Sequence, residues 1–239
     1  MTIAPRFLDA GEAALVVEYG LNVDPAIHDR VMALDASLAA KSMRGIRETV
    51  PTFRSLMIHY DPLVLDRASL VKPVESLDAT PAPAARRRWT VPCCYDPEFG
   101  EDLDHIAQAK KLTVEKVVEL HAGATYRAYM YGFAPGFCYL GGAPKELTLS
   151  RRTTPRPPTL PQVIMIADGM SIITTISMPT GWWLVGRTPE RFFSRNRDPA
   201  FLADAGDQIT FEPIDRATYD ALDARAEAGE VVARSEKLP

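Results

Sequence analysis

From Tyr126 to Ile214 the apolar residues come in short runs, "YRAYMYGF", "VIMIADG", "SIITTI", "WWLVG" and "QITFEPI", separated by Gly, Pro and Asp. Runs of this length between turn-forming residues read as strands, and several in succession predict an all-β barrel or sandwich. Two short helices are expected ahead of them, between 100 and 122. Thr113 is placed to cap "VEKVVELH", and Gly123 to stop it in a left-handed conformation. A last capped helix is expected in "TYDALDARAEAG".

The N-terminal part alternates instead. "ALVVEY" reads as a strand, and Asp24 followed by Pro25 opens a helix in which Ile27, Val31, Leu34 and Leu38 share one face. "GIRETVP" and "SLMIHYDP" follow as strands, then a helix near 66 to 77 and a strand in "RRRWTVPCCY". The order β-α-β-β-α-β predicts a ferredoxin-like α/β sandwich. "ATPAPAARRR", residues 79 to 88, has little apolar bulk and reads as a linker, so the chain is expected to hold two domains of an α+β protein, 1–80 and 81–239.

Charge narrows the partners: 27 Lys and Arg stand against 31 Asp and Glu, a net charge of −4, which offers no global basic field to nucleic acid or anionic lipid. No segment has the apolar length of a membrane span and the first residues do not read as a secretion signal, so a cytoplasmic protein is expected. Cys93, Cys94 and Cys138 are odd in number and two are adjacent, which fits reduced thiols; His28, His59, His105 and His121 show no metal-ligand spacing.

Four motifs carry chemistry or imitate it. "GFAPGFCYLGG", residues 132 to 142, alternates Phe137 and Tyr139 with Phe133 behind them, which would put three rings on one face of a strand. "GWWLVGRT", 181 to 188, has the spacing of a phosphate-binding loop, but Trp182 to Val185 read as a buried strand rather than a flexible cradle. "SRRTTPRPPTLP", 150 to 161, is a proline-stiffened arm. Its Arg151, Arg152 and Arg156 would either clamp an anion or merely solvate a loop. His121, at the end of the second short helix, would either transfer protons or sit as a cation favoured by the helix dipole.

"HAGATYRAYMYGFAPGFCYLGG", "RRTTPR", "PTGWWLVGRTP" and "GDQITFEPI", taken in order, closely resemble the allophanate hydrolase subunit 1 (KipI) family, the carboxyltransferase-domain subdomain C and D group that includes PxpB-type 5-oxoprolinase subunits. "DAGEAALVVEYG" and "VPTFRSLMIHYDP" extend the resemblance to nearly the whole chain. It implies a C-terminal domain similar to cyclophilin, without prolyl isomerase activity. It also implies a place in an ATP-dependent complex opening 5-oxoproline to glutamate, or in a related amide-cleaving or carboxyl-transferring complex. The partners would be a KipA/PxpC-like subunit and a LamB/YcsF-like (PxpA) subunit, with ATP as co-substrate and no metal in this chain. The other role the resemblance implies is regulatory, the inhibition of a sensor histidine kinase. For the enzyme it points to His121, Arg152 and Arg156 as catalytic, and to Phe137, Tyr139, Arg151, Trp182, Arg187 and Thr188 as contacts to substrate or nucleotide. The chain departs from the family pattern at "LPQVIMIADG", which lacks a Gly-Ser pair, and at Thr180, which replaces a glycine. If both lie in pocket loops, they predict a substrate other than 5-oxoproline.

Overall fold

The computed structural model describes residues 4–76 and 86–238, which fall into two compact units. Most of the expected linker, and the expected domain boundary at 80/81, lie outside the described residues.

The first unit runs β1 (Arg6–Asp9), β2 (Ala14–Glu18), α1 (Pro25–Lys41), β3 (Ile46–Pro51), β4 (Ser55–Tyr60), α2 (Arg67–Ser76). Helix α1 starts where the sequence places it, because the Asp24 carboxylate accepts the backbone N–H groups of Ala26 and Ile27 at 2.8 and 3.2 Å. The sheet is antiparallel in the order β1-β2-β4-β3. Alternate residues Leu15 and Val17 of β2 and Leu56, Ile58 and Tyr60 of β4 meet Val31, Leu34 and Leu38 of α1 and Leu70 and Val74 of α2 in one core. Both helices therefore cover the same face. The element order is nevertheless β-β-α-β-β-α. The strand in "RRRWTVPCCY", expected to complete this sheet, belongs to the second unit, and β1 holds an edge of the sheet instead. The four residues of β1 send only Phe7 toward the core, too weak a pattern to mark a strand in advance.

The second unit begins with that strand, β5 (Arg87–Cys94), so Arg87 and Arg88 extend a sheet rather than a linker. It continues with α3 (Leu103–Lys110), α4 (Val114–Gly123), β6 (Tyr126–Tyr131), β7 (Cys138–Gly141), β8 (Val163–Ala167), β9 (Met170–Ile173), β10 (Trp183–Arg187), β11 (Gln208–Ile214), α5 (Arg216–Glu227) and β12 (Arg234–Lys237). The strands follow the order β10-β8-β9-β7-β6-β11-β5, and β10 returns to β5, which closes a seven-stranded barrel; β12 adds to β5 from outside. Closure is the barrel's way of leaving no unpaired edge. At the seam Arg187 lies opposite Cys94, and a Cβ on Gly186 would come within 2.8 Å of both Cys93 Sγ and the Cys94 carbonyl oxygen. The second glycine of "GWWLVGRT" thus serves backbone approach between strands, and the segment is β10, not a phosphate-binding loop.

Strand β8 reads "VIMIA" because it is buried on both faces: Ile164 and Ile166 enter the barrel, while Val163, Met165 and Ala167 join a second apolar cluster outside it. Leu103, Ile106 and Ala107 of α3 and Val117 of α4 share the barrel's inner cluster. Thr113 caps α4 through a 3.2 Å bond from the Lys116 N–H. Gly123 departs from expectation: it ends the helix without a left-handed φ, because the chain passes through extended Ala124 straight into β6.

The chain after β10 is tied down by Glu190. This carboxylate is wholly buried and accepts from the N–H groups of Arg191, Val232 and Ala233 and from Arg197. Glu190→Ala leaves four donors unpaired and is expected to lower unfolding free energy by about 3–5 kcal/mol, read by urea denaturation.

Candidate functional site

Outside the barrel, Val163 and Met165 of β8, Ile172 of β9 and Leu184 of β10 form an apolar floor with Trp182 and Phe137. The motif "GFAPGFCYLGG" supplies the rings above it. Phe137 lies 5.4 Å from Phe133 and 5.3 Å from Tyr139 between ring centroids. The motif is a loop leading into β7 rather than one strand: Phe133 has φ 73 and is 74 % exposed, an uncommon conformation for a bulky side chain. Gly136, φ 75, permits this course, since a Cβ there would lie 2.2 Å from Phe193 Cβ.

The arm at 150 to 161 is not free. Its Arg152, Arg156 and Thr159 N–H groups donate to the carbonyls of Gly181, Thr180 and Met178 at 2.7, 2.8 and 3.1 Å, so it runs beside the segment leading into β10. This brings the Arg151 guanidinium to 5.2 Å from the Trp182 ring, and its charge also acts on the Tyr139 hydroxyl. Arg151 is partnered only loosely, by Asp168 at 3.5 Å on the surface. Phe137, Tyr139, Arg151 and Trp182 are thus assembled in one place: an aromatic face with a guanidinium at its side, suited to a planar ligand bearing an anionic group.

The other two arginines of the arm turn inward. Arg156 Nη2 grips both oxygens of Asp102, at 2.5 and 2.6 Å, and Arg156 Nη1 donates to Glu101 at 2.9 Å. Arg152 adds a 3.2 Å bond to Asp102 and lies 5.0 Å above the Trp183 ring, which stacks on His105. Against the expectation of a projecting clamp, their charge is met by the protein's own carboxylates. Asp102 is the residue sequence reasoning missed. It stands just ahead of α3, where an aspartate reads as a cap, yet its side chain makes no cap bond and reaches the arm and the Leu184 N–H instead.

Arg187, Thr188 and His121 lie apart from that face. Arg187 is on the barrel exterior at the seam, its Nε donating to the Pro161 carbonyl at 3.0 Å. Thr188 is buried, and its hydroxyl accepts the Glu190 N–H at 3.0 Å, so it shapes a turn. His121 is wholly buried among Tyr95, Tyr126 and Phe211, with Nδ1 bonded to the Tyr95 hydroxyl at 2.8 Å and Nε2 without a partner. Burial lowers its pKa to about 3, so it is a neutral core side chain and not the dipole-stabilised cation that its place at a helix end suggests.

The two departures from the family pattern also fall elsewhere than expected. Val163 and Ile164 are wall residues of β8 rather than loop, and the Thr180 hydroxyl is turned back to accept the Trp182 N–H at 3.1 Å. Neither fills the space over the aromatic face. Among the described residues no group of three or more His, Cys, Asp or Glu side chains could hold a metal ion, and no helix is long and apolar enough to cross a membrane. Burial pushes the thiol of Cys138 up to about 12 and that of Cys93 higher still, which leaves both unreactive.

Two measurements check this geometry. Asp102→Ala strands two arginines and is expected to cost about 3–5 kcal/mol in urea denaturation and to speed trypsin cleavage after Arg152. For His121, the unfolded chain takes up a proton below pH 6.5 while the folded chain resists until about 3, so stability is full above 6.5 and declines as pH falls through that window. The expected slope is about 1.4 kcal/mol per pH unit. His121→Phe should remove that share of the acid sensitivity in a pH series of denaturation curves.

The sequence matches the family described as carboxyltransferase domain, subdomain C and D, over residues 5–203. It is 31% identical over 234 residues to a 5-oxoprolinase subunit of Bacillus subtilis, of the PxpB type, covering 92% of this chain and 98% of that protein. Among solved structures, TTHA0988 superposes with a TM-score of 0.77 at 30% identity, over 84% of this chain and 40% of that one. Urea carboxylase of Kluyveromyces lactis superposes at 0.81 and 18% identity, over 98% of this chain and 24% of that one, a likeness of fold.

Proposed function

The chain belongs to the carboxyltransferase domain, subdomain C and D, family, and on that premise we propose that it is the PxpB-type subunit of an ATP-dependent amide-hydrolysing complex that opens 5-oxoproline to glutamate. The observation that carries the reading is the match to a relative named as a 5-oxoprolinase subunit over nearly the full length of both chains. The aromatic face supports it. A five-membered lactam is planar enough to lie against Tyr139 and Trp182, and its carboxylate suits the Arg151 guanidinium. Because Val163, Ile164 and Thr180 leave that face open, 5-oxoproline is retained as substrate, in place of the altered substrate that the sequence departures predict.

A lactam is a poor electrophile. Transfer of the γ-phosphoryl group of ATP to the amide oxygen, releasing ADP, makes the ring carbon open to water; loss of phosphate and cleavage of the C–N bond then give glutamate. In this scheme Phe137, Tyr139, Trp182 and Arg151 bind and orient the lactam, and Arg152 and Arg156 act through Asp102 by positioning the arm. A KipA/PxpC-like and a LamB/YcsF-like (PxpA) subunit supply the rest of the site, and the chain alone is inactive, working in the cytoplasm as part of that assembly.

The test is reconstitution with those two subunits and measurement of ADP release with 5-oxoproline, urea and larger lactams. A stable heteromer is expected, with 5-oxoproline preferred and no turnover by the single chain. Arg151→Gln, at an exposed position, should leave folding unchanged and lower kcat/KM about 10- to 100-fold, the loss of one charge-assisted bond. Failure to assemble, together with tight binding to a histidine kinase, would move the chain to the regulatory class.

A further inference from the structure

At the barrel seam, Arg187 lies opposite Val163 on one side and Cys94 on the other, and so points outward with them. Cys94 belongs to a small outer cluster with Phe99 and Tyr219, distinct from the floor beneath Tyr139 and Trp182. The Arg187 guanidinium lies 5.3 Å from the Phe99 ring centroid and 5.4 Å from that of Tyr219.

Two more arginines attend the same cluster, and both are neutralised. Arg216, over Phe99, pairs with Glu98 and Asp220; Arg191, whose charge reaches Tyr219, pairs with Asp223 at 2.7 Å. Arg187 is different. Among the described residues it has no carboxylate at ion-pair distance, and its one hydrogen bond, from Nε, leaves both terminal nitrogens unused. A half-buried cation without a counter-ion is costly to keep, and aromatic faces offset only part of that cost. The second anomaly is next to it: the Tyr219 hydroxyl is buried, in a residue only 2 % exposed, and has no partner. Buried hydroxyls are nearly always hydrogen-bonded. Burial raises this one to about 12, with Arg187 the largest opposing influence, so at neutral pH it is a proton-bearing donor beside an unspent guanidinium fork.

We propose that Arg187 and Tyr219 form a binding site for an oxyanion, the carboxylate or phosphate group of a small ligand, at the seam where β10 meets β5. The fork supplies two parallel N–H donors and the phenol a third, the donor set that such a group satisfies. Arg187 covers the Tyr219 ring, so an incoming anion has only that flexible side chain to displace. The inference rests on these side chains and not on the amide-hydrolysing reading, and it is tested without the partner subunits.

The experiment is an NMR chemical-shift titration of the purified full chain with sodium phosphate and, separately, sodium acetate at constant ionic strength, with thermal melts of each variant. Saturable one-to-one binding is expected. Tyr219→Phe should weaken it about tenfold, the worth of one hydrogen bond to a charged group, without lowering the melting temperature, because the hydroxyl has no partner in the fold. Arg187→Lys, which keeps the charge and loses the fork, should also weaken it, and Arg187→Gln should abolish it. Tighter binding of phosphate assigns a phosphoryl group and tighter binding of acetate a carboxylate. Absence of saturable shifts with either anion, unchanged affinity in Tyr219→Phe and Arg187→Gln, or a lowered melting temperature in Tyr219→Phe would each overturn the proposal.

Discussion

The carboxylate of Asp102, 5 % exposed, accepts from Arg152, Arg156 and the Leu184 N–H at once, and its own N–H donates to the Leu184 carbonyl. A charge buried this deeply is tolerable only with its hydrogen bonds complete. Once they are complete, three parts of the second unit have fixed positions: the start of α3, strand β10 and the arm. The arm in turn sets Arg151 beside Trp182 and Tyr139, so the candidate binding face depends on a residue that does not touch it.

Barrel closure is the second constraint. Strand β10 must meet β8 on one side and β5 on the other, and the backbones come so close at Gly186 that no side chain fits. Closure sends Ile164, Ile166 and Val185 inward and leaves Leu184 and Val163 to form an outer floor. A sheet buried on both faces carries ligand-facing residues outside without exposing its core. Both the aromatic face and the seam around Arg187 follow from that arrangement.

Much of the fold was legible in the residues themselves. The cap at Asp24, the stripe of Val31, Leu34 and Leu38, the cap at Thr113 and the strand runs after Tyr126 all obey local rules, and local rules survive folding. Strand β1 was not legible, because four residues with one inward side chain carry no period. The membership of β5 was not legible either: a run such as "TVPCC" announces a buried strand without saying which sheet will bury it. At the site, the rings of Phe137, Tyr139 and Trp182 stood out by composition, whereas the fates of Arg151, Arg152 and Arg156 differ although they share one short segment.

The sequence by itself therefore determined the class of the second unit, the family through an ordered string of motifs, and the residues from which a site is made. Only tertiary structure decided which of those residues meet. Arg156 and Asp102 are 54 positions apart, and Arg187 and Tyr219 are 32, so no local pattern relates them. Whether an arginine is spent on a neighbouring carboxylate or left for a ligand depends on what the closed barrel brings within about 4 Å of it, the range in which a charge pair is formed.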